Sequence, residues 1–195
     1  MRVLGIAGSA RRGSNTDILL DEVLKGAVSR GAETKTIIVP NLNIVACQDC
    51  GACSSTGNCP FGDDMVRVHQ DLTWADRLVL AAPLHFMGLP SQTKALIDRT
   101  QGLWVKKYLL KQPPLGDSRA RRGLFVSAGG RIGEHLFDGA LTTVKAFFAS
   151  LDVEYAGIVA CAGMEKRAEI SAHPEVLAKA LAAGEELVEP QSRSL

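Results

Sequence analysis

Arg2-Val3-Leu4-Gly5-Ile6-Ala7-Gly8-Ser9-Ala10-Arg11-Arg12-Gly13-Ser14-Asn15-Thr16 decides how this chain reads. An apolar strand runs into a turn of small, hydroxyl and basic residues, and a helical stretch follows at once. Small residues let backbone N–H groups come close to an anion, and the dipole of a helix N-terminus favours negative charge there. The stretch lacks the six-residue dinucleotide glycine pattern and the lysine of a Walker loop, so it points to a monophosphate. The plainer alternative is a strand-to-helix turn capped by Ser14 or Asn15, with Arg11 and Arg12 solvated.

Outward from that stretch, apolar runs over 3–7, 36–39, 78–82, 124–127 and 153–159 read as strands. They alternate with helical patterns over 16–29, 63–74, 91–102, 138–150 and 174–189. This order predicts an α/β, doubly wound sandwich around a five-stranded parallel sheet. Two excursions interrupt it, a cysteine-rich loop over 40–62 and a stretch over 102–122 with Trp104, Tyr108, Pro113 and Pro114. The end, 190–195, reads as frayed. With 195 residues, 46% of them hydrophobic, one domain over 1–195 is expected. A net charge of +1 gives no broad attraction for nucleic acid or an anionic membrane. Lacking a signal-like or membrane-length apolar run, the chain is expected to be cytoplasmic.

Cys47, Cys50, Cys53 and Cys59 follow the spacing C-x2-C-x2-C-x5-C within thirteen residues. In a reducing compartment such a set favours a metal or redox role over disulfides. Two-residue spacings bring soft thiolates to the inside of one tight loop, as a cube of iron and sulfide requires. Gly51, Gly57 and Pro60 suit a loop wrapped around a compact object. Zinc prefers two cysteine pairs on separate knuckles, and three cysteines in seven residues with no neighbouring histidine suit it poorly. A redox dithiol of Cys50 and Cys53, or an empty reduced loop, remain alternatives. Cys161, far along the chain, reads as a buried small hydrophobe.

The loop Gly8-Ser9-Ala10-Arg11-Arg12-Gly13-Ser14-Asn15-Thr16 resembles that of the flavodoxin-like NADPH-dependent FMN reductase superfamily. Within it, the cysteine set is similar to that of the iron–sulfur flavoproteins, which hold one [4Fe-4S] cluster beside FMN. The stretch from Ala82 through Pro83, Leu84, His85, Phe86, Met87 and Gly88 to Arg99 resembles their isoalloxazine loop and following helix. The match runs from residue 1 to about Gly130; Ala10 stands where proline is common, and Leu84-His85 where an aromatic is frequent. The resemblance implies that Ser9, Arg11, Ser14, Asn15 and Thr16 hold the phosphate. It implies that Pro83, Leu84, His85, Phe86, Met87 and Gly88 line the ring, with Ser127, Gly129 and Gly130 at its polar edge. Cys47, Cys50, Cys53 and Cys59 would ligate the cluster. Asp98 and Arg99 read as structural ion pairs at a helix end, and His85 as a polar loop residue as readily as a working one.

A cluster passes single electrons, whereas flavin takes one or two, so the pair would convert between one- and two-electron chemistry with no catalytic side chain. The donor would be a ferredoxin-like protein or a small molecule, and the acceptor a quinone, peroxide or oxygen. The alternative is an NAD(P)H-dependent FMN or quinone reductase with a secondary or empty cysteine loop. A further alternative is a non-enzymatic flavin redox sensor. A homodimer or homotetramer is expected.

Overall fold

The computed structural model describes residues 1–189, so the expected frayed end over 190–195 lies outside the described residues. Strands β1 (Arg2–Ala7), β2 (Glu33–Ile38), β3 (Arg77–Ala81), β4 (Arg121–Gly129) and β5 (Val153–Ala162) form one sheet. All neighbours are parallel, in the order β2-β1-β3-β4-β5. Helices α1 (Asn15–Ser29), α2 (Met65–Trp74), α3 (Ser91–Asp98), α4 (Gln101–Tyr108), α5 (Asp138–Ser150) and α6 (Pro174–Val188) cover it.

The inner strands β1, β3 and β4 are largely apolar and buried because both faces of the sheet are covered, whereas edge strand β2 is mostly polar and only partly buried. Leu4, Ile6, Leu78, Leu80 and Phe125 pack with Val68 of α2, Leu96 of α3, Leu103 of α4 and Phe148 of α5. Their neighbours in sequence, Val3, Val79, Leu124 and Val126, point the other way, to Leu19 and Val23 of α1 and Leu187 of α6. Two-residue alternation thus assigns each strand residue to one of two cores. Burying each such Leu, Ile or Phe contributes about 1.5–3 kcal/mol. This is the flavodoxin-like architecture read from the sequence.

The strand order reverses between β1 and β3, so the loops leaving their carboxyl ends diverge and open a crevice, where open α/β sheets take ligands. One expectation is corrected: the helix over 91–102 and the loop over 102–122 are divided differently. The helix stops at Asp98 and restarts at Gln101, and α4 occupies the first part of the supposed loop. Thr100 makes the break, its hydroxyl donating to Ile97 O at 2.7 Å in place of a continuing helical turn. Leu103 and Val105 anchor α4 in the core, while Lys106 and Lys107 complement its C-terminus. Pro113 and Pro114 end the segment, but they lie too far on to prevent the helix.

Candidate functional site

The turn after β1 is held largely by its own polar groups. Gly8 N donates to Ala81 O at 2.7 Å, and buried Thr93 of α3 donates to Gly8 O at 3.1 Å. Ser9 Oγ accepts from Arg11 N and donates to Arg11 O. Ser14 caps α1, accepting from Asp17 N while the Asp17 carboxylate accepts from Ser14 N, a reciprocal capping box. Thr16 Oγ1 lies 3.2 Å from Ser14 Oγ. Arg12 turns out to pair with Asp17 at 3.2 Å, whereas the Arg11 side chain is left without a protein partner among the described residues.

Asn15 has a different task. Its Nδ2 donates to Lys166 O at 2.9 Å and Met164 O at 3.5 Å, and its Oδ1 accepts from Ile170 N at 3.1 Å. The amide thus pins the segment after β5 over the start of α1. That segment brings Lys166 and Arg167 to a cavity of about 420 Å³ that Ser9, Arg11, Ser14, Asn15 and Thr16 also line. Gly13, at φ 64°, keeps room for Arg167: a Cβ there would stand 3.2 Å from its Nη2. The sequence reading did not select Lys166 or Arg167. Their signal was a basic pair just past the carboxyl end of the last strand.

An adjoining cavity of about 700 Å³ is lined by Leu84, His85, Phe86, Met87, Gly129, Gly130, Arg131, Leu136 and Glu165. Pro83 lies in the first cavity, and Leu84, His85 and Gly130 belong to both. His85 and Gly88 exchange backbone hydrogen bonds at 3.0 and 2.9 Å across a tight turn. Its two central residues, Phe86 and Met87, have φ of 50° and 62°. For residues with a side chain this left-handed conformation costs roughly 1–2 kcal/mol each, and it leaves the Phe86 ring fully in solvent at the cavity mouth. Ser127 lines neither cavity; its buried hydroxyl donates to Ala82 O at 2.9 Å and fixes the base of the turn. At Gly129 a Cβ would meet Leu84 and Leu136 at 3.0 Å, so the close wall needs glycine.

The cysteine loop is organised at its ends. Asn43 N donates to Asp64 Oδ2 at 2.7 Å, and Val45 N to Asp63 Oδ2 at 2.9 Å. Arg99, at the end of α3, donates to Asp63 Oδ2 at 2.5 Å, Asp63 Oδ1 at 3.0 Å and Val45 O at 2.5 Å. The two side chains are 1% and 6% exposed. Burial alone would raise the Asp63 carboxyl, but Arg99 and the amides of Val45 and Met65 outweigh it and hold it below its ordinary value. Between these ends the chain packs on α4, Gly57 against Gly102 so closely that a Cβ on Gly102 would lie 2.4 Å from Gly57 O. All four thiols are free, and all four line one cavity of about 60 Å³ together with Asp98, Arg99, Gln101, Gly102 and Val105. Burial pushes the Cys53 thiol up, and Cys59, Cys47 and Cys50 push it further. Asp98 pairs with Lys94, so both residues at this helix end form ion pairs.

The family model of the NADPH-dependent FMN reductases matches residues 1–157. An iron–sulfur flavoprotein of Methanocaldococcus jannaschii is 30% identical over 151 residues, 76% of this chain and 71% of that protein. The chain belongs to the iron–sulfur flavoproteins of the FMN reductase family. The chain spans less than two thirds of the length of three curated iron–sulfur flavoproteins that it matches at 35–37% identity. A further iron–sulfur flavoprotein, from Methanosarcina thermophila, is 37% identical over 111 residues; the match spans 57% of this chain and 58% of that protein. A solved NAD(P)H:quinone oxidoreductase from Methanothermobacter marburgensis shares the fold, with a TM-score of 0.73 and 18% identity over 96% of this chain and 98% of that one. Among the described residues no helix is long and apolar enough to cross a membrane.

In this iron–sulfur flavoprotein family member, the joined cavities suit a flavin mononucleotide, with a basic end beside a helix N-terminus and an apolar, glycine-walled end. For the cysteines, no group of three or more His, Cys, Asp or Glu among the described residues stands ready to hold a metal ion. The donor set nonetheless fits a thiolate-ligated cluster, because all four cysteines line one cavity. A second observation agrees: Arg99 Nε is buried with no hydrogen-bond partner. A buried donor without a partner costs about 1–3 kcal/mol, and an acceptor held beside Arg99, which borders that cavity, would remove the cost.

Proposed function

We propose that this chain holds FMN in the joined cavities and a [4Fe-4S] cluster on Cys47, Cys50, Cys53 and Cys59, and couples a ferredoxin-type donor to two-electron reduction of a small acceptor. The observation that carries this reading is that Cys47, Cys50, Cys53 and Cys59, all free, line one cavity that Arg99 also borders. When bound, the cluster supplies single electrons and the flavin one or two, matching a one-electron donor to a two-electron acceptor. Arg11, Lys166 and Arg167 hold the phosphate with the backbone of the β1 turn, and Ser9, Ser14 and Thr16 present their hydroxyls beside it. Leu84 and Leu136 bracket the ring, and Gly129 and Gly130 let its polar edge approach main-chain N–H groups. Phe86 and Met87 shield the ring from water at the mouth. No side chain acts as catalytic acid or base. Both sites touch α3: Thr93 near its start bonds the phosphate turn, and Arg99 just past its end lines the cysteine cavity. Six residues of helix separate them along roughly 9 Å of axis.

The deciding experiment is iron and sulfide analysis with the visible spectrum of protein purified without oxygen. Flavin bands with a broad cluster absorbance and about four iron per chain support the reading. Flavin bands alone after anaerobic reconstitution overturn it. A second reading, an NAD(P)H-dependent FMN or quinone reductase, draws support from the open ring cavity with Phe86 and Met87 exposed at it. Rapid-mixing kinetics separate the two: fast bleaching by NADPH or NADH favours the second, fast bleaching by reduced ferredoxin alone the first. We also propose a homodimer or homotetramer, with Trp104 and Tyr108 of α4 among the contacts; light scattering that gives a monomer for the loaded protein removes it.

A further inference from the structure

Arg99 makes more contacts than an ion pair needs. Its two terminal nitrogens serve Asp63 and Val45 O, joining residues on either side of the four cysteines. Asp63 completes the closure by accepting from Val45 N and Met65 N. The Phe61 ring lies 5.1 Å from the guanidinium carbon. This bidentate grip fixes the guanidinium plane, which a lysine would not do. The remaining nitrogen, Nε, takes no part in the grip and is buried without a partner. The guanidinium also interacts with Cys59 and borders the cavity lined by all four thiols.

We propose that Arg99 is a positioning residue of the iron–sulfur site: it clasps both ends of the cysteine loop through Asp63 and Val45, and gives its free Nε–H to sulfur in the thiol-lined cavity. This rests on the reading of the cysteines as cluster ligands. A donor to cluster or thiolate sulfur stabilises the more negative, reduced state, as does the nearby positive charge. Asp63, negative and bonded to Arg99 behind the cavity wall, opposes it. Arg99 therefore raises the reduction potential and Asp63 lowers it, while both keep the loop closed.

Opposite signs make the test. Wild type, R99M, R99K and D63N are reconstituted anaerobically with iron and sulfide, with FMN content and near-ultraviolet circular dichroism confirming the fold. Iron per chain and the cluster midpoint potential are measured by redox titration followed by electron paramagnetic resonance. Amide exchange at Val45 and Met65 is followed in the iron-free protein. R99M is expected to shift the one-electron equilibrium at least tenfold toward the oxidised cluster, about 59 mV. R99K, which keeps charge but loses the Nε donor, should shift it less in the same direction, and D63N in the opposite direction. Exchange at Val45 and Met65 should rise at least tenfold in R99M and D63N. An unchanged potential in R99M, or equal shifts of one sign in R99M and D63N, overturns the donor role and leaves Arg99 merely structural. Unchanged exchange overturns the clasp. If wild type takes up no iron, the cluster reading and the donor role fall together, and exchange alone judges the clasp. If R99M does not fold, R99K and D63N still carry both signs.

Discussion

The turn after β1 and the loop after β2 both leave the sheet at its carboxyl edge, yet they are finished to different degrees. In the first, Ser9, Ser14, Asn15, Thr16 and Asp17 bond one another or neighbouring backbone. A ligand there meets a formed site. In the second, the long-range side-chain ties lie at the ends, through Asp63, Asp64 and Arg99, the middle holds only short turn bonds such as Ser54 N to Gly51 O and Gly57 N to Cys53 O, and the four cysteines are free around one cavity. The protein supplies a frame there, and a bound group must supply the centre. Removing ligands should therefore disorganise the second region and leave the first intact.

The largest effect is expected at the centre of that second region. Cys53→Ser removes one of the four proposed ligands from a loop whose long-range side-chain bonds lie at its ends. Iron per chain should fall from about four to below about one, while FMN content remains at the wild-type level. Iron and flavin analysis on one sample checks both halves. Parallel loss of flavin would break the comparison, showing that the two regions form one unit.

Asn15→Ala attacks the first region. The variant leaves Lys166 O and Ile170 N without the amide that now bonds them. Urea unfolding should show a loss of about 2 kcal/mol, since stranded buried polar groups cost about 1–3 kcal/mol. FMN affinity should drop roughly tenfold as Lys166 and Arg167 lose their mooring, each tenfold being about 1.4 kcal/mol. Weakened binding with unchanged stability would instead assign Asn15 to the phosphate itself.

These residues also mark how far the sequence could be read. The alternation of strands and helices, the parallel sheet and both ligand loops were legible, because apolar runs of strand length and a glycine-serine turn are local signals. Lys166 and Arg167 were not, because the segment that carries them is held at the site by Asn15, about 150 positions away in sequence, and by Gly129 and Arg131 at and just past the end of β4. Arg99 was legible as an ion-pair residue at a helix end but not as a wall of the cysteine cavity, since its partner Asp63 lies on another element. The break between α3 and α4 escaped because it depends on one threonine hydroxyl turning back on Ile97. The cysteine spacing identified the thiols, while the closure of their loop is a tertiary fact.

Acid should sharpen the contrast between the regions moderately. The Asp63 carboxyl is held below its ordinary 3.8 in the folded protein. A depressed folded value means the stabilisation is complete above the unfolded value and is lost as pH falls from about 5 through the folded value. In the iron-free protein, the protection of the Val45 and Met65 amides relative to their intrinsic exchange rates should therefore fall below about pH 4. Asp63→Asn should abolish that dependence while leaving exchange fast throughout. Asp76 and Asp117 share the sign of the shift, Asp76 against burial through Arg2 and Arg119, and Asp117 through Arg121 and Arg119. They lie at the opposite end of the sheet, so acid loosening there should not follow the Asp63 substitution.

The smallest effect belongs to the turn between His85 and Gly88, where a formed site carries strain. Phe86 and Met87 are both left-handed, and the Phe86 ring gains no packing in return, being fully exposed. Asparagine tolerates that conformation better because its short polar side chain bonds locally, so Phe86→Asn should leave stability unchanged or raise it by about 0.5 kcal/mol. The backbone exchange between His85 and Gly88 keeps the turn in either variant. If the ring serves only to cover the flavin cavity, FMN affinity should change less than about threefold, under 0.7 kcal/mol. Flavin fluorescence quenching by iodide should rise as water gains access. A clear loss of stability would mean that Phe86 is buried against something in the working assembly, which a loaded homo-oligomer with its ring cavity at a subunit contact would provide.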